Sequence, residues 1–258
     1  MKTSAADAIH IDPSDRERNA MSFAATIVLV HGAFADASSW HPVTARLLAK
    51  GYRVVAPPVS NRSLSADAAY IRSFVEQIDG PVLLAGHSYG GAVITVAGVA
   101  DNVVGLVFVS GYALEEGESL GQLQGGFPDS ELAANLVYAS YPTADGEPGT
   151  DVSVDIEAFR DVFAAGLDTA RAKVLAVSQR PLSAIAFDEP ASVAAWKTKP
   201  SWGIVSSADR TINPDVERFG YQRAGLRSVV EIDAPHLVMQ THPDEVVAVL
   251  ADALAELA

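Results

Sequence analysis

The chain has 258 residues, 49% of them hydrophobic, enough for one sizeable layered domain or two small ones. Its formal charge of −14 argues against nucleic acid or an anionic membrane surface as partner, and no apolar run reaches the roughly 18–20 residues of a membrane-spanning helix. With no cysteine, disulfides and thiolate metal sites are excluded, and the composition fits a cytoplasmic protein.

Residues 1–21 are polar, charged and aperiodic, and lack the apolar stretch of a secretory signal. They read as a disordered or loosely docked extension. From there the chain alternates. "ATIVLVHG" is a short apolar strand rich in β-branched residues. Trp40 to Lys50 is a helix with Val43, Leu47 and Leu48 on one face and Gly51 as its stop. "YRVVAPP" is a second strand closed by two prolines. Ser65 to Ile78 is a helix with Ala69, Phe74, Val75 and Ile78 on its apolar face. "PVLLAGHS" is the third strand, Tyr89 to Ala100 a helix of small residues, and "VVGLVFVSG" the fourth strand.

Between Gly111 and about Ile185 the alternation fails. The stretch holds helical fragments (Asp129 to Ala139, Ile156 to Gly166, Thr169 to Ser178), a Pro/Gly loop at Tyr141 to Gly149, and no convincing strand. Beyond it, "SWGIVSSAD" and "LRSVVEID" are two more strands around a helix at Pro214 to Ala224. Pro243 to Leu257 closes the chain as an amphipathic helix with Val246, Val247, Leu250 and Leu254 inside. Continuous apolar strands with helices between them imply a mostly parallel α/β sheet of about six strands, covered by helices on both faces. The core is expected over residues 22–112 and 186–258, with residues 113–185 inserted as a helical cap.

Gly86-His87-Ser88-Tyr89-Gly90 fits the pattern G-x-S-x-G, and it lies between a strand and a helix, the context that gives the motif meaning. Small residues at Gly86 and Gly90 let strand and helix approach while Ser88 takes a strained turn that projects its hydroxyl. A serine hydroxyl is a weak nucleophile until a base removes its proton. Of the six histidines, His236 in "EIDAPHLVM" is the best base, because it follows the last strand on a loop at the carboxyl edge of the sheet; His242 is the runner-up. The base needs an acid to hold its tautomer and stabilise the imidazolium. Asp209, just beyond "GIVSSAD", is also at the carboxyl edge, with room for one helix and one strand before His236. Glu115 and Glu116 are the alternative acids.

The order Ser88, Asp209, His236 resembles that of the α/β-hydrolase superfamily, and the likeness runs from about Phe23 to the end of the chain. "HGAFADASSW" is similar to the oxyanion loop of the subgroup containing methyl-salicylate-type esterases, hydroxynitrile lyases and bacterial esterase relatives. The resemblance implies that the backbone N–H groups of Ala33 and Tyr89 receive the oxyanion, with Phe34 lining the same loop. Hydroxynitrile lyases of that group carry threonine where Gly32 stands and lysine where Leu237 stands. Both departures favour hydrolysis over the lyase reaction. Ser88 also stands where haloalkane dehalogenases have an aspartate.

The expected chemistry is attack by Ser88 on a carbonyl, with His236 as base, an acyl-enzyme and then its hydrolysis, with no metal or cofactor. A mostly apolar pocket would come from the insertion. Phe127 is a candidate lining residue, and Arg180 a candidate for a substrate carboxylate or a helix-end salt bridge. The expected partner is a small apolar ester or lactone, bound by a monomer or homodimer, with no nucleic acid or membrane involved. C–C bond hydrolysis, perhydrolysis, a lyase reaction and a hydrolase-like receptor are the alternative uses of the same residues.

Overall fold

The computed structural model describes residues 25–144 and 146–258; the extension expected over residues 1–21, with His10, lies outside the described residues. The chain enters with β1 (Thr26–Val30), α1 (His41–Ala49), β2 (Arg53–Val55), α2 (Leu64–Glu76), β3 (Val82–His87), α3 (Tyr89–Ala97) and β4 (Val103–Val109). It then leaves the sheet through α4 (Leu120–Gln124), β5 (Leu136–Tyr141), β6 (Gly149–Val154), α5 (Phe159–Val162), α6 (Thr169–Val177), β7 (Leu182–Ser183) and α7 (Ile185–Asp188). It returns with β8 (Ser201–Ser206), α8 (Pro214–Ala224), β9 (Ser228–Ile232), α9 (Val238–Thr241) and α10 (Pro243–Leu257).

Six strands form one parallel sheet in the order β2-β1-β3-β4-β8-β9. Every residue of β1, β3 and β8 is buried, as their unbroken apolar runs require in a sheet covered on both faces. β2 and β9 are the edges and are largely exposed. The chain runs outward from β1 to β2 and then turns back to lay β3 on the other side of β1. The reversal opens a crevice at the carboxyl ends of β1 and β3, the usual place for a ligand in such sheets. Val30 pairs with Gly86, which sets residues 31–32 beside residues 87–88.

The helices follow local chemistry. Ser63 caps α2 by accepting the Ala66 N–H, and Asn213 caps α8, with Pro214 in its first turn and Gly225 in the left-handed conformation at its end. Two expected faces are rotated. Leu48 is exposed on α1, and the buried side of α2 is Leu64, Asp67, Ala68, Ile71 and Val75, with Ala69 outside. A carboxylate inside the α2 stripe disguises its phase; Asp67 is there to accept the Tyr89 phenol at 2.8 Å.

The inserted stretch is not wholly helical, which corrects the expectation. β5, β6 and β7 form a three-stranded antiparallel sheet. The helix expected over Asp129 to Ala139 is a short 3-10 turn, Glu131–Asn135, that runs into β5, and Tyr141 to Gly149 is the hairpin connection. The reason is the period-two pattern of β6: Val152 and Val154 are buried while Asp151 and Ser153 face a wetter side. α6 occurs where a helix was expected. Arg62 ties this sheet to the core loop before α2. It pairs with Asp151 at 2.7 Å, donates to the Pro181 carbonyl at 3.1 Å and lies over the Tyr141 ring.

Candidate active site

Ser88 connects β3 to α3 with φ 56° and ψ −124°, a conformation that costs a non-glycine residue about 1–3 kcal/mol. The surrounding glycines make the turn possible. A Cβ on Gly86 would stand 2.3 Å from the Gly90 carbonyl oxygen, and one on Gly90 would stand 2.5 Å from the Val30 carbonyl oxygen. Strand and helix backbones therefore touch directly, and the serine is pushed out at the apex. Its backbone is held on both sides: Ser88 N–H donates to Val109, and the Ser88 carbonyl accepts from Gly91 and Tyr112.

His236 and Asp209 meet across 27 positions of sequence. His236 Nδ1 lies 2.6 Å from Asp209 Oδ2, with both side chains at 1% exposure or less. Asp209 Oδ1 accepts the backbone N–H groups of Thr211 and Ile212 at 2.6 and 3.0 Å, so the carboxylate is oriented by the turn it begins. The inserted region clamps that turn, through Thr211 Oγ1 to the Val162 carbonyl and Ser130 Oγ to the Thr211 carbonyl, each at 2.7 Å. Nδ1 is thus the occupied side of the ring. His236 Nε2 is buried with no hydrogen-bond partner among the described residues, so the Ser88 hydroxyl does not hydrogen-bond to it in this arrangement.

Two further histidines support the site, and sequence reasoning gave them no role. His87 Nε2 donates to the His236 carbonyl at 3.0 Å, and the two rings are 4.5 Å apart, with Trp40 packed on the other side of His87. Burial, and then the neighbouring His236, hold His87 well below the ordinary histidine range, so it is neutral. His31 Nε2 accepts the Val59 N–H at 2.8 Å, which leaves the proton on Nδ1 to meet the Gly32 carbonyl at 2.9 Å. Burial lowers its pKa also. This tie shapes the loop after β1. Gly32 in that loop has no space for a side chain: a Cβ would stand 2.7 Å from Ser88 Cβ. Phe34 takes φ 60° and gives its N–H to the Arg180 carbonyl at 2.9 Å, joining the loop to the inserted region. The loop after β1 thus runs against Ser88 at Gly32, with Ala33 next in the chain, and Tyr89 begins α3 directly after Ser88.

A small cleft lies near this centre, with Phe34, Phe159, Phe163, Leu175 and Leu237 on its apolar side and Asp36 and Ser38 on its polar side; Ser88, Asp209 and His236 do not themselves line it. Phe163 packs on His236 at 5.2 Å and on Phe34 at 5.8 Å. Phe34 lines this cleft. Phe127 does not line it; it stacks on Phe219 of α8, with ring centroids 5.6 Å apart. The Arg180 side chain is exposed, and its contribution is the carbonyl that Phe34 uses. Glu115 pairs with Lys197 at 2.5 Å and Glu116 is exposed beside it, away from His236. His242 contacts Thr241. Among the described residues no group of three or more His, Cys, Asp or Glu side chains could hold a metal ion, and no helix is long and apolar enough to cross a membrane.

The model of the Alpha/beta hydrolase family matches residues 27–249. The chain belongs to that family. Esterases are among the proteins it resembles. A carbendazim hydrolyzing esterase of Nocardioides sp. (strain SG-4G) is 33% identical over 136 residues, 46% of this chain and 55% of that one. The match thus spans about half the length of that relative. Two solved structures share the fold. A polyneuridine aldehyde esterase superposes with a TM-score of 0.77 at 19% identity, covering 89% of this chain and 98% of that one. The methylesterase MES16 from Arabidopsis gives 0.75 at 18% identity, covering 90% and 99%.

Proposed function

We propose that the protein is a serine hydrolase of small apolar carboxylic esters or lactones, working through Ser88, His236 and Asp209. The observation that supports this reading is the dry His236–Asp209 pair, with Nε2 left free, in a chain that also holds Ser88 at a strained apex after β3. Asp209 keeps the proton on Nδ1, so Nε2 is the basic nitrogen that takes the Ser88 proton as the hydroxyl attacks the carbonyl. The Ala33 and Tyr89 N–H groups stabilise the resulting oxyanion, where one donor is worth roughly 10²–10³ in rate. His236 then protonates the leaving alkoxide, and water repeats the sequence on the acyl-enzyme. The apolar rings beside His236, Phe163 and behind it Phe34, suit an apolar acyl or alcohol group. The esterases among the similar proteins fit the same choice of bond.

Labelling by a fluorophosphonate probe tests the nucleophile. The wild type should react stoichiometrically and Ser88→Ala should not, while both keep the same circular dichroism. Persistent labelling of Ser88→Ala would overturn the assignment. A panel of p-nitrophenyl esters, lactones and β-diketones then tests the substrate class: turnover confined to the β-diketones would replace ester cleavage with C–C bond hydrolysis.

A further inference from the structure

A second carboxyl is buried next to Asp209. Glu217 sits on α8 in the stripe Val216, Glu217, Gly220 and Tyr221 that faces the sheet, and it is 1% exposed. It sits against the turn that carries Asp209, whose N–H donates to the Ser206 carbonyl at 3.2 Å, and the Asp209 charge acts on its carboxyl. Oε2 accepts the Ser206 N–H at 3.2 Å, and Oε1 is buried without a donor. A glutamate at this position has no part in the three-residue scheme above.

Two ionised carboxylates repel each other strongly in so dry a site, so one of the pair carries a proton. The supply of donors decides which. Asp209 receives His236 Nδ1 and the N–H groups of Thr211 and Ile212. Glu217 receives only the Ser206 N–H. The proton therefore stays on Glu217, and it gives the otherwise unpartnered acid an acceptor in Asp209. The other groups around Glu217 do not change this. The Tyr112 and Tyr221 phenols are buried and pushed well up by that burial, so both are neutral. Arg218 is committed at the surface to Asp215 and Glu231, at 2.7 and 2.5 Å. Burial, and next the charge of Asp209, push the Glu217 carboxyl well above the ordinary carboxylate range.

We propose that Glu217 is a neutral carboxylic acid that donates a hydrogen bond to Asp209, and that it acts as a positioning residue keeping Asp209 ionised and aimed at His236. The proposal rests on the reading of Ser88, His236 and Asp209 as the reacting set. Its physical content is that a fourth donor on Asp209 spreads the carboxylate charge without adding a second negative charge to a dry site.

The test compares the wild type, Glu217→Gln and Glu217→Leu on one activated ester across pH, with infrared spectra of the wild type and the Gln variant. Leu removes the donor and should lower kcat about tenfold or more, the worth of one hydrogen bond to a charged group, with little change in KM. Gln can donate to Asp209 and accept from Ser206, so it should rescue most of that loss and leave the acid limb of the pH profile in place. A protonated-carboxyl C=O band should be present in the wild type at neutral pH and absent from Glu217→Gln. An acid limb displaced to lower pH by about one unit in Glu217→Gln would mean that a negative charge had been removed, and would overturn the proposal. So would a Leu variant with wild-type kcat and pH profile, or a missing infrared band; the spectrum decides the matter even if the Leu variant does not fold. Asp209→Asn measured alongside separates the two layers: normal turnover there sinks the triad reading itself, whereas its loss beside an inert Glu217→Leu sinks only the role of Glu217.

Discussion

The Nδ1–Oδ2 hydrogen bond of 2.6 Å makes Asp209→Asn a test of tautomer more than of packing. The two backbone donors on Oδ1 would hold the amide oxygen of asparagine in place, leaving its NH₂ to face His236. Nδ1 would then have to accept, and the ring proton would move to Nε2, the nitrogen that must be free to take the serine proton. Turnover of an activated ester should fall by about 10⁴ while the thermal midpoint changes little. Near-normal kcat in Asp209→Asn would reject Asp209 as the acid. Ser88, Asp209 and His236 were readable because each lies at a strand's carboxyl end in a chain with clear strands. Glu217 was not. "PDVERFGYQR" reads as a charged surface helix, and only the recurrence of Val216, Gly220 and Tyr221 on one side marks where Glu217 points. His87 gave no sign in the sequence of its place, yet its ring packs against His236.

At the level of elements, the parallel core was legible because its central strands are buried on both faces and so appear as unbroken apolar runs. The inserted sheet was not. β5 is exposed along most of its length, so it carries little alternation, and only Val152 and Val154 in β6 gave the period. Besides the buried Val152, Val154 and Leu182, a polar tie holds that sheet to the core: the Arg62 guanidinium on Asp151, on the Pro181 carbonyl and over Tyr141. Arg62→Ala should lower the unfolding free energy by about 1 kcal/mol, since a partly exposed ion pair and a surface cation–π contact are each worth a fraction of that. The difference between wild type and variant should shrink in about 1 M salt, where screening weakens the ion pair. Because Pro181 follows Arg180, whose carbonyl holds the Phe34 N–H, the same change should raise KM more than it lowers kcat. Denaturant titrations at two salt concentrations and steady-state kinetics check both; an unchanged KM would show that the placing of Phe34 does not depend on this tie.

Over the whole molecule, buried titratable groups oppose one another. His31 and His87 are held below the ordinary histidine value of 6.5, chiefly by burial. Below that pH the unfolded chain takes up protons that the native state refuses, so these two groups make stability fall as the solution is acidified. Glu217 and Asp67 act in the other direction. Burial raises both above their ordinary values of 4.5 and 3.8, so above those values the unfolded chain releases protons that the native state keeps. Their contribution makes stability fall as pH rises. Between 4.5 and 6.5 the two pairs compete, and each group is worth up to about 1.4 kcal/mol per pH unit. Glu217→Gln removes one of the opposing titrations and leaves the histidines less balanced. Its unfolding free energy should therefore climb more steeply than that of the wild type between about pH 5 and pH 6, by up to about 1.4 kcal/mol per unit. Urea midpoints at both pH values measure the slope directly. Equal slopes in the two proteins would mean that Glu217 binds its proton no more tightly in the folded chain than in the unfolded one, and that the carboxyl beside Asp209 is ionised.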